Sequence, residues 1–210
     1  MQVNKLIYIA LGLLISGCSS TDNSGPWRAS VTADRFTDEV ECFVSVAEYW
    51  GGDYLYTRQN HYYPYIQKKD GQLRVGLRSG GKFPIPVGDV KIRIDQNKAW
   101  DITVSETPAD LKSIGSAMSP DYVNTLTANM DQKTKDMVES TIKNQQQYTA
   151  QMLSTFTAAT DSKAEQILKE LLSGKNMIYQ TGGLPGLKST VGEVQLNSSL
   201  QKALSDCGIN

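Results

Sequence analysis

Histidine is nearly absent from this chain. The single copy, His61, excludes a metal centre built on several imidazoles, and no serine sits on the glycine-flanked strand-to-helix elbow that many hydrolases use. A basic excess is lacking too: 21 Lys and Arg face 22 Asp and Glu, for a formal net charge of -1, so no basic surplus is available to neutralise a nucleic-acid backbone. The pairs Gly80-Gly81 and Gly182-Gly183 match no phosphate-cradling pattern and read as turns. Long apolar runs are missing apart from residues 6–15, and nothing after them approaches the length of a membrane span. No cofactor is implied. Cysteine is scarce: Cys18, Cys42 and Cys207 are the whole set.

What is present is concentrated at the start. Met1 to Lys5 is short and basic, residues 6–15 are uncharged and apolar, and Ile15-Ser16-Gly17-Cys18 follows. This order reads as an export signal, too short for a stable span. Its last four residues resemble the lipobox of bacterial lipoproteins. The resemblance implies cleavage between Gly17 and Cys18, diacylation of the Cys18 thiol and acylation of the new amino group with a fatty chain such as palmitate. Two or more chains hold a protein to a bilayer stably, where one does not. Ser19, in place of Asp, resembles the outer-membrane-bound class. The plainer alternative is a buried N-terminal helix with a structural cysteine.

The implied division is a signal peptide over 1–17, a flexible tether over 18–26 and a single β-sandwich-like domain over 27–207. The implied address is the bacterial cell envelope, lipid-anchored at the outer membrane, facing the periplasm or the outside. With Cys18 carrying lipid, Cys42 and Cys207 remain, and in an oxidising compartment a disulfide is the default for such a pair. It would close a long loop, worth roughly 4–5 kcal/mol in the chain-entropy account. Two buried free thiols are the alternative.

From Trp27 the chain is strand-like. Cys42, Val44 and Val46 share one face of a segment over 40–49. Leu73, Val75 and Leu77 alternate with Gln72, Arg74, Gly76 and Arg78, and Asp70-Gly71 just before them is a hairpin signal joining 62–68 to 72–78. Val90, Ile92 and Ile94 form a second hairpin with Trp100, Ile102 and Val104 across a polar turn at 95–98. Ordered short strands without helices between them predict a fold that is mainly β with a helical insertion (α+β), an antiparallel β-sandwich or curved sheet.

The texture then changes. After Ser119-Pro120 no Gly or Pro occurs until past residue 160, and Tyr122, Leu126, Met130, Met137, Ile142, Tyr148, Met152 and Phe156 recur at roughly helical spacing. This predicts a helical insertion over 119–160, as one helix or as two with a break near 131–134. A helix from Asp161 carries Ala164, Ile167, Leu168, Leu171 and Leu172 and ends at Gly174. Strands around 177–179 and 191–196 follow, and Asn197-Ser198 caps a short C-terminal helix.

The opening Trp27-Arg28-Ala29-Ser30, the cysteine on the next strand, the helix into residues 174–179, and the closing 191–196 strand before Ser199 to Leu204 together resemble the invasion-associated locus B-like exported proteins. The resemblance covers roughly 27–106 and 163–207. It implies an envelope β-sandwich associated with host interaction and carries no catalytic residue set. The 119–160 insertion departs from it.

Catalysis finds little footing. Glu39, Glu41, Glu48 and Asp53 could pair for glycoside chemistry, but Glu39 and Glu41 alternate with Val40 and Cys42 as a solvated strand face does. Binding has better candidates: Tyr54, Tyr56, Tyr62, Tyr63 and Tyr65 in an aromatic cluster, and Met130, Met137, Tyr148 and Met152 along the insertion. Each group has a plainer reading, as sheet packing for the tyrosines and as a stripe packed back on the body for the insertion. The expectation is a non-catalytic binding or structural module, contacting an envelope protein or a second copy of itself through the insertion. The alternative is an envelope hydrolase acting on peptidoglycan or glycan, or an accessory to one.

Overall fold

The computed structural model describes residues 25–33, 35–36, 40–49, 62–109, 120–182 and 191–209. Residues 1–24, which include Cys18 and the segment expected to be an export signal, lie outside these, as do Tyr54, Tyr56 and His61. The fold is α+β, with nine strands in two antiparallel sheets and four helices among the described residues.

The first sheet has the order β1-β2-β3-β4-β7, from β1 (Trp27–Ala33), β2 (Val40–Val46), β3 (Tyr62–Lys69), β4 (Gln72–Ser79) and β7 (Phe156–Ala159). The second runs β6-β5-β8-β9, from β5 (Val90–Ile94), β6 (Trp100–Ile102), β8 (Asn176–Thr181) and β9 (Gly192–Gln195). The β3–β4 hairpin closes with Lys69 opposite Gln72. Its two turn residues, Asp70 at φ 52° and Gly71 at φ 78°, take the paired left-handed conformations of a tight turn, which Asp-Gly tolerates better than most pairs. The second hairpin sets Ile92 opposite Trp100, but β6 stops at Ile102. Val104, expected on the strand, instead starts a 3-10 turn over Val104–Glu106, where the Glu106 carboxylate accepts the Thr103 N–H.

One hydrophobic cluster draws on both sheets and two helices. Val44, Ile66, Val75 and Leu77 come from the first sheet, and Ile92, Ile94, Ile102 and Met177 from the second. Helix α3 (Asp161–Ser173) adds Ala164, Ile167, Leu168 and Leu171, while Leu172, expected to be buried, is exposed. Gly174 ends that helix with extended backbone rather than a left-handed cap. A Cβ there would sit 2.9 Å from Glu170 O and overlap Ile94 Cγ2, so close approach to β5 explains the glycine. Helix α4 (Ser198–Asp206) is capped by the Asn197 side chain on Ser199 N–H and buries Leu200, Ala203 and Leu204. Two bonds fasten this end of the chain to the first strand: Trp27 Nε1 donates to Gln195 O at 2.8 Å, and Trp27 N donates to Ser199 Oγ at 3.2 Å. The Cys42–Cys207 disulfide, with Cα atoms 5.4 Å apart, adds a covalent tie across 165 residues.

The insertion contains two helices, α1 (Pro120–Thr127) and α2 (Gln132–Met152), and then a strand. Asp131 separates the helices and caps the second: its carboxylate accepts Thr134 N–H at 3.1 Å and Thr134 Oγ1 at 2.6 Å. These bonds hold the Asp131 carboxyl below its ordinary value. The expected helical span to 160 is corrected at its far end, where Phe156–Ala159 is strand β7. Thr-rich, β-branched sequence after Leu153-Ser154 favours extension there, and both edges of β7 find partners. Val75 pairs with Ala159 and Arg78 with Phe156, while Ala158 N–H donates to Thr107 Oγ1 at 3.2 Å and Thr157 Oγ1 donates to Gly88 O at 2.7 Å.

Candidate binding surfaces

Two surfaces carry what the sequence marked for binding. The first is the face of the five-stranded sheet turned away from the core. Strand alternation puts Phe43, Tyr63, Tyr65 and Gln67, then Arg74, Gly76 and Arg78, then Phe156 and Ala158 on it. Tyr65 is 4 % exposed, Tyr62 and Tyr63 are also buried, and the rings interlock. Tyr49 meets Phe43 edge-on at 5.5 Å and Tyr63 at 5.6 Å, and Tyr65 lies 5.3 Å from Phe156. The three described tyrosines of the cluster therefore take the packing role, since little of their area is open to a partner.

Two arginines are embedded in these rings. The Arg78 guanidinium carbon sits 4.2 Å from the Phe43 centroid, 4.7 Å from Tyr49 and 5.4 Å from Tyr65, and that of Arg74 is 5.7 Å from Phe156. Arg74 is only 8 % exposed. The Nε atoms of both are buried without a hydrogen-bond partner. Among the described residues neither guanidinium forms an ion pair, whereas one row further along the same face Lys69 is matched to Glu41 at 2.7 Å. That pair also settles Glu41 as a solvated strand-face carboxylate. Stacking on aromatic faces recovers about 1–2 kcal/mol of what a guanidinium loses on burial, and the unpaired remainder is several kcal/mol. Burial raises the Tyr65 phenol above its ordinary value against the opposing pull of Arg78, Arg74 and Lys69, so its hydroxyl keeps the proton it donates to Gln67 Oε1. The alternation of Arg74, Gly76 and Arg78 against Leu73, Val75 and Leu77 was visible in sequence and reads as a solvated face. The signal that would have corrected it is that Phe43, Tyr63 and Tyr65 fall on that same face.

The second surface is α2. Twenty-one residues long, it spans about 31 Å. Only Ala150 and Gln151 are buried, and the Gln151 amide donates to Ser105 O and Thr107 O at 2.9 Å each, pinning the last turn to the body. Met137, at 61 % exposed, and Tyr148, at 60 %, are open, as are Met152 and, between the helices, Met130. At 100° per residue Met137, Tyr148 and Met152 fall within roughly 60° of one another, so they form one strip along the helix. Packing of this strip onto the sheets is overturned by its exposure. Val138 and Ile142, on the neighbouring side, are half-buried.

A groove of about 500 Å³ beside α3 holds two carboxylates, Asp161 and Glu165, with Lys68 and Lys169 also on its walls. Both acids are exposed on successive turns of one helix, and Asp161 accepts hydrogen bonds from Thr160 Oγ1 and Gln72 Nε2. A glycosidase acid that stays protonated at neutral pH needs a dry pocket, which this groove does not offer. No group of three or more His, Cys, Asp or Glu side chains gathers among the described residues, and none of the described helices is long and apolar enough to cross a membrane. Comparison with protein-family models, with curated proteins and with solved structures found no match.

Proposed function

We propose that this protein is a lipid-anchored component of the bacterial cell envelope, held at the outer membrane through Cys18, that works by contact rather than catalysis. Its partner surface is the Met137–Tyr148–Met152 strip of α2. The observation that carries this reading is the exposure of that strip on a helix pinned to the body at one end. A helix that buries so little of itself gains almost nothing from packing, and most helical stability in proteins comes from packing. Methionine and tyrosine are side chains that interfaces favour, the first for its adaptability and the second for its large amphipathic area. An envelope protein or a second copy of the chain would cover the strip. The Cys42–Cys207 bond suits an oxidising compartment, which is the address the Ile15–Cys18 lipobox implies.

A photoreactive residue at Met137 or Tyr148 in intact cells is expected to give a discrete crosslinked species, at twice the chain mass if the partner is a second copy. The same group at Lys143, exposed on the other side of the helix, is expected to give none. With the photoreactive residue at Met137, Tyr148→Lys together with Met152→Lys should cut the yield about tenfold or more while stability moves by about 0.5 kcal/mol or less per site. Equal crosslinking from Lys143 would contradict the assignment of the face.

A further inference from the structure

We propose that the partner on the α2 strip is a second copy of this chain, with the two helices paired antiparallel about a two-fold axis. This deepens the contact reading above and rests on it. The exposed residues Met137, Thr141, Asn144 and Tyr148 follow one another at steps of four, three and four, the seam spacing of a coiled coil. The half-buried residues Val138, Ile142, Gln146 and Thr149 lie roughly 90–170° round the helix from that seam, so the body leaves it open. Run antiparallel about a point between Ile142 and Lys143, the seam sets Met137 of each helix against Tyr148 of the other, a thioether on a ring. Between these two layers Thr141 meets Asn144, hydroxyl against amide. Polar pairs inside an apolar seam fix register and direction at a cost in stability.

Charge selects the same direction. Beyond the Asp131 cap, the first turn of α2 holds no acid and carries the exposed Lys133, while the last turn holds no base. The lysine opposes the dipole of its own helix, and the negative end of that dipole goes uncompensated. Antiparallel pairing brings each Lys133 level with the last turn of the other helix, where its charge is favourable. A parallel pair would instead gather both Lys133 side chains at one end, beside two positive helix ends.

The test uses two tagged forms of the full chain expressed together, one with Met137→Cys and one with Tyr148→Cys, and a short bis-maleimide added to isolated membranes. Cys42 and Cys207 are bonded to each other, so the introduced thiols are the ones that react. Each mixed pair also keeps one Met137–Tyr148 layer intact. A linked dimer carrying both tags is expected, with at least about tenfold less from Met137→Cys alone or from Lys143→Cys with Tyr148→Cys. Lys133→Glu in both chains should cut the linked yield about threefold or more. A carboxylate in the first turn favours its own helix, so that loss reads the contact between copies and not unravelling of α2. Equal dimer from Met137→Cys alone, or a yield that Lys133→Glu leaves unchanged, would overturn the antiparallel pair. No mixed dimer, with a photoreactive residue at Met137 caught on a different protein, would overturn self-pairing and leave the contact reading of the strip standing. No crosslink of either kind would overturn both.

Discussion

Reducing the Cys42–Cys207 bond is expected to lower the unfolding midpoint by about 10–20 °C. The bond closes a loop across 165 residues, nearly the whole described chain, so its removal returns a large share of conformational freedom to the unfolded state. In the chain-entropy account that share is roughly 5 kcal/mol, and for a domain of this size each kcal/mol moves the midpoint by about 2–4 °C. The folded state loses less, because α4 stays attached by the burial of Leu200, Ala203 and Leu204 and by the two Trp27 hydrogen bonds. The native fold should therefore persist in reductant at room temperature while its margin shrinks. Cys42→Ser with Cys207→Ser should reproduce the shift and remove any further response to reductant. A midpoint indifferent to reduction would show that the bond does not form in the protein.

The second large effect is expected at Gly76. It lies in the middle of β4, opposite Tyr65 on one side and Ala158 on the other. A Cβ built there would overlap the Thr157 carbonyl oxygen and lie 2.6 Å from Ala158 Cα. These are backbone atoms of β7, held from the far side by Thr107 and Gly88, and they cannot swing away as a side-chain tip would. Gly76→Ala is expected to cost about 3 kcal/mol, measured by denaturant unfolding, through displacement of β7 from the sheet. Since β7 carries Phe156 and follows directly on α2, the same substitution should raise hydrogen exchange along β7 and in the last turn of α2. Loss of stability with β7 protection unchanged would place the strain elsewhere.

The sequence made the sheets legible wherever one face was apolar and the other polar. Leu73, Val75 and Leu77, and likewise Val90, Ile92 and Ile94, announce their strands because period-two alternation has few other causes, and Asp70-Gly71 supplies the hairpin turn. Helix α3 was equally plain from its Ala164–Leu171 stripe. Strand β7 was not, because four residues cannot show a period and Phe156 continues a helical spacing by coincidence. The partnership of β7 with β4, which joins residues as far apart in sequence as Arg78 and Phe156, is tertiary information. The burial of the arginines was not legible for a related reason. Alternation says which residues share a face and is silent on whether that face meets water, and only the convergence of aromatic rings from other segments, Phe156 on Arg74 and Phe43, Tyr49 and Tyr65 on Arg78, covers the arginines. The strip on α2 was marked by composition, but its exposure depends on how the helix projects from its anchored last turn.

The measurement closest to the central claim is the intact mass of the protein purified from membranes, before and after reduction. An envelope lipoprotein stapled between Cys42 and Cys207 predicts a chain that begins at Cys18, carries the added mass of its acyl groups and gains the mass of two hydrogens on reduction. An unmodified chain beginning at Met1, with no mass change in reductant, would contradict the anchor, the compartment and the bond together.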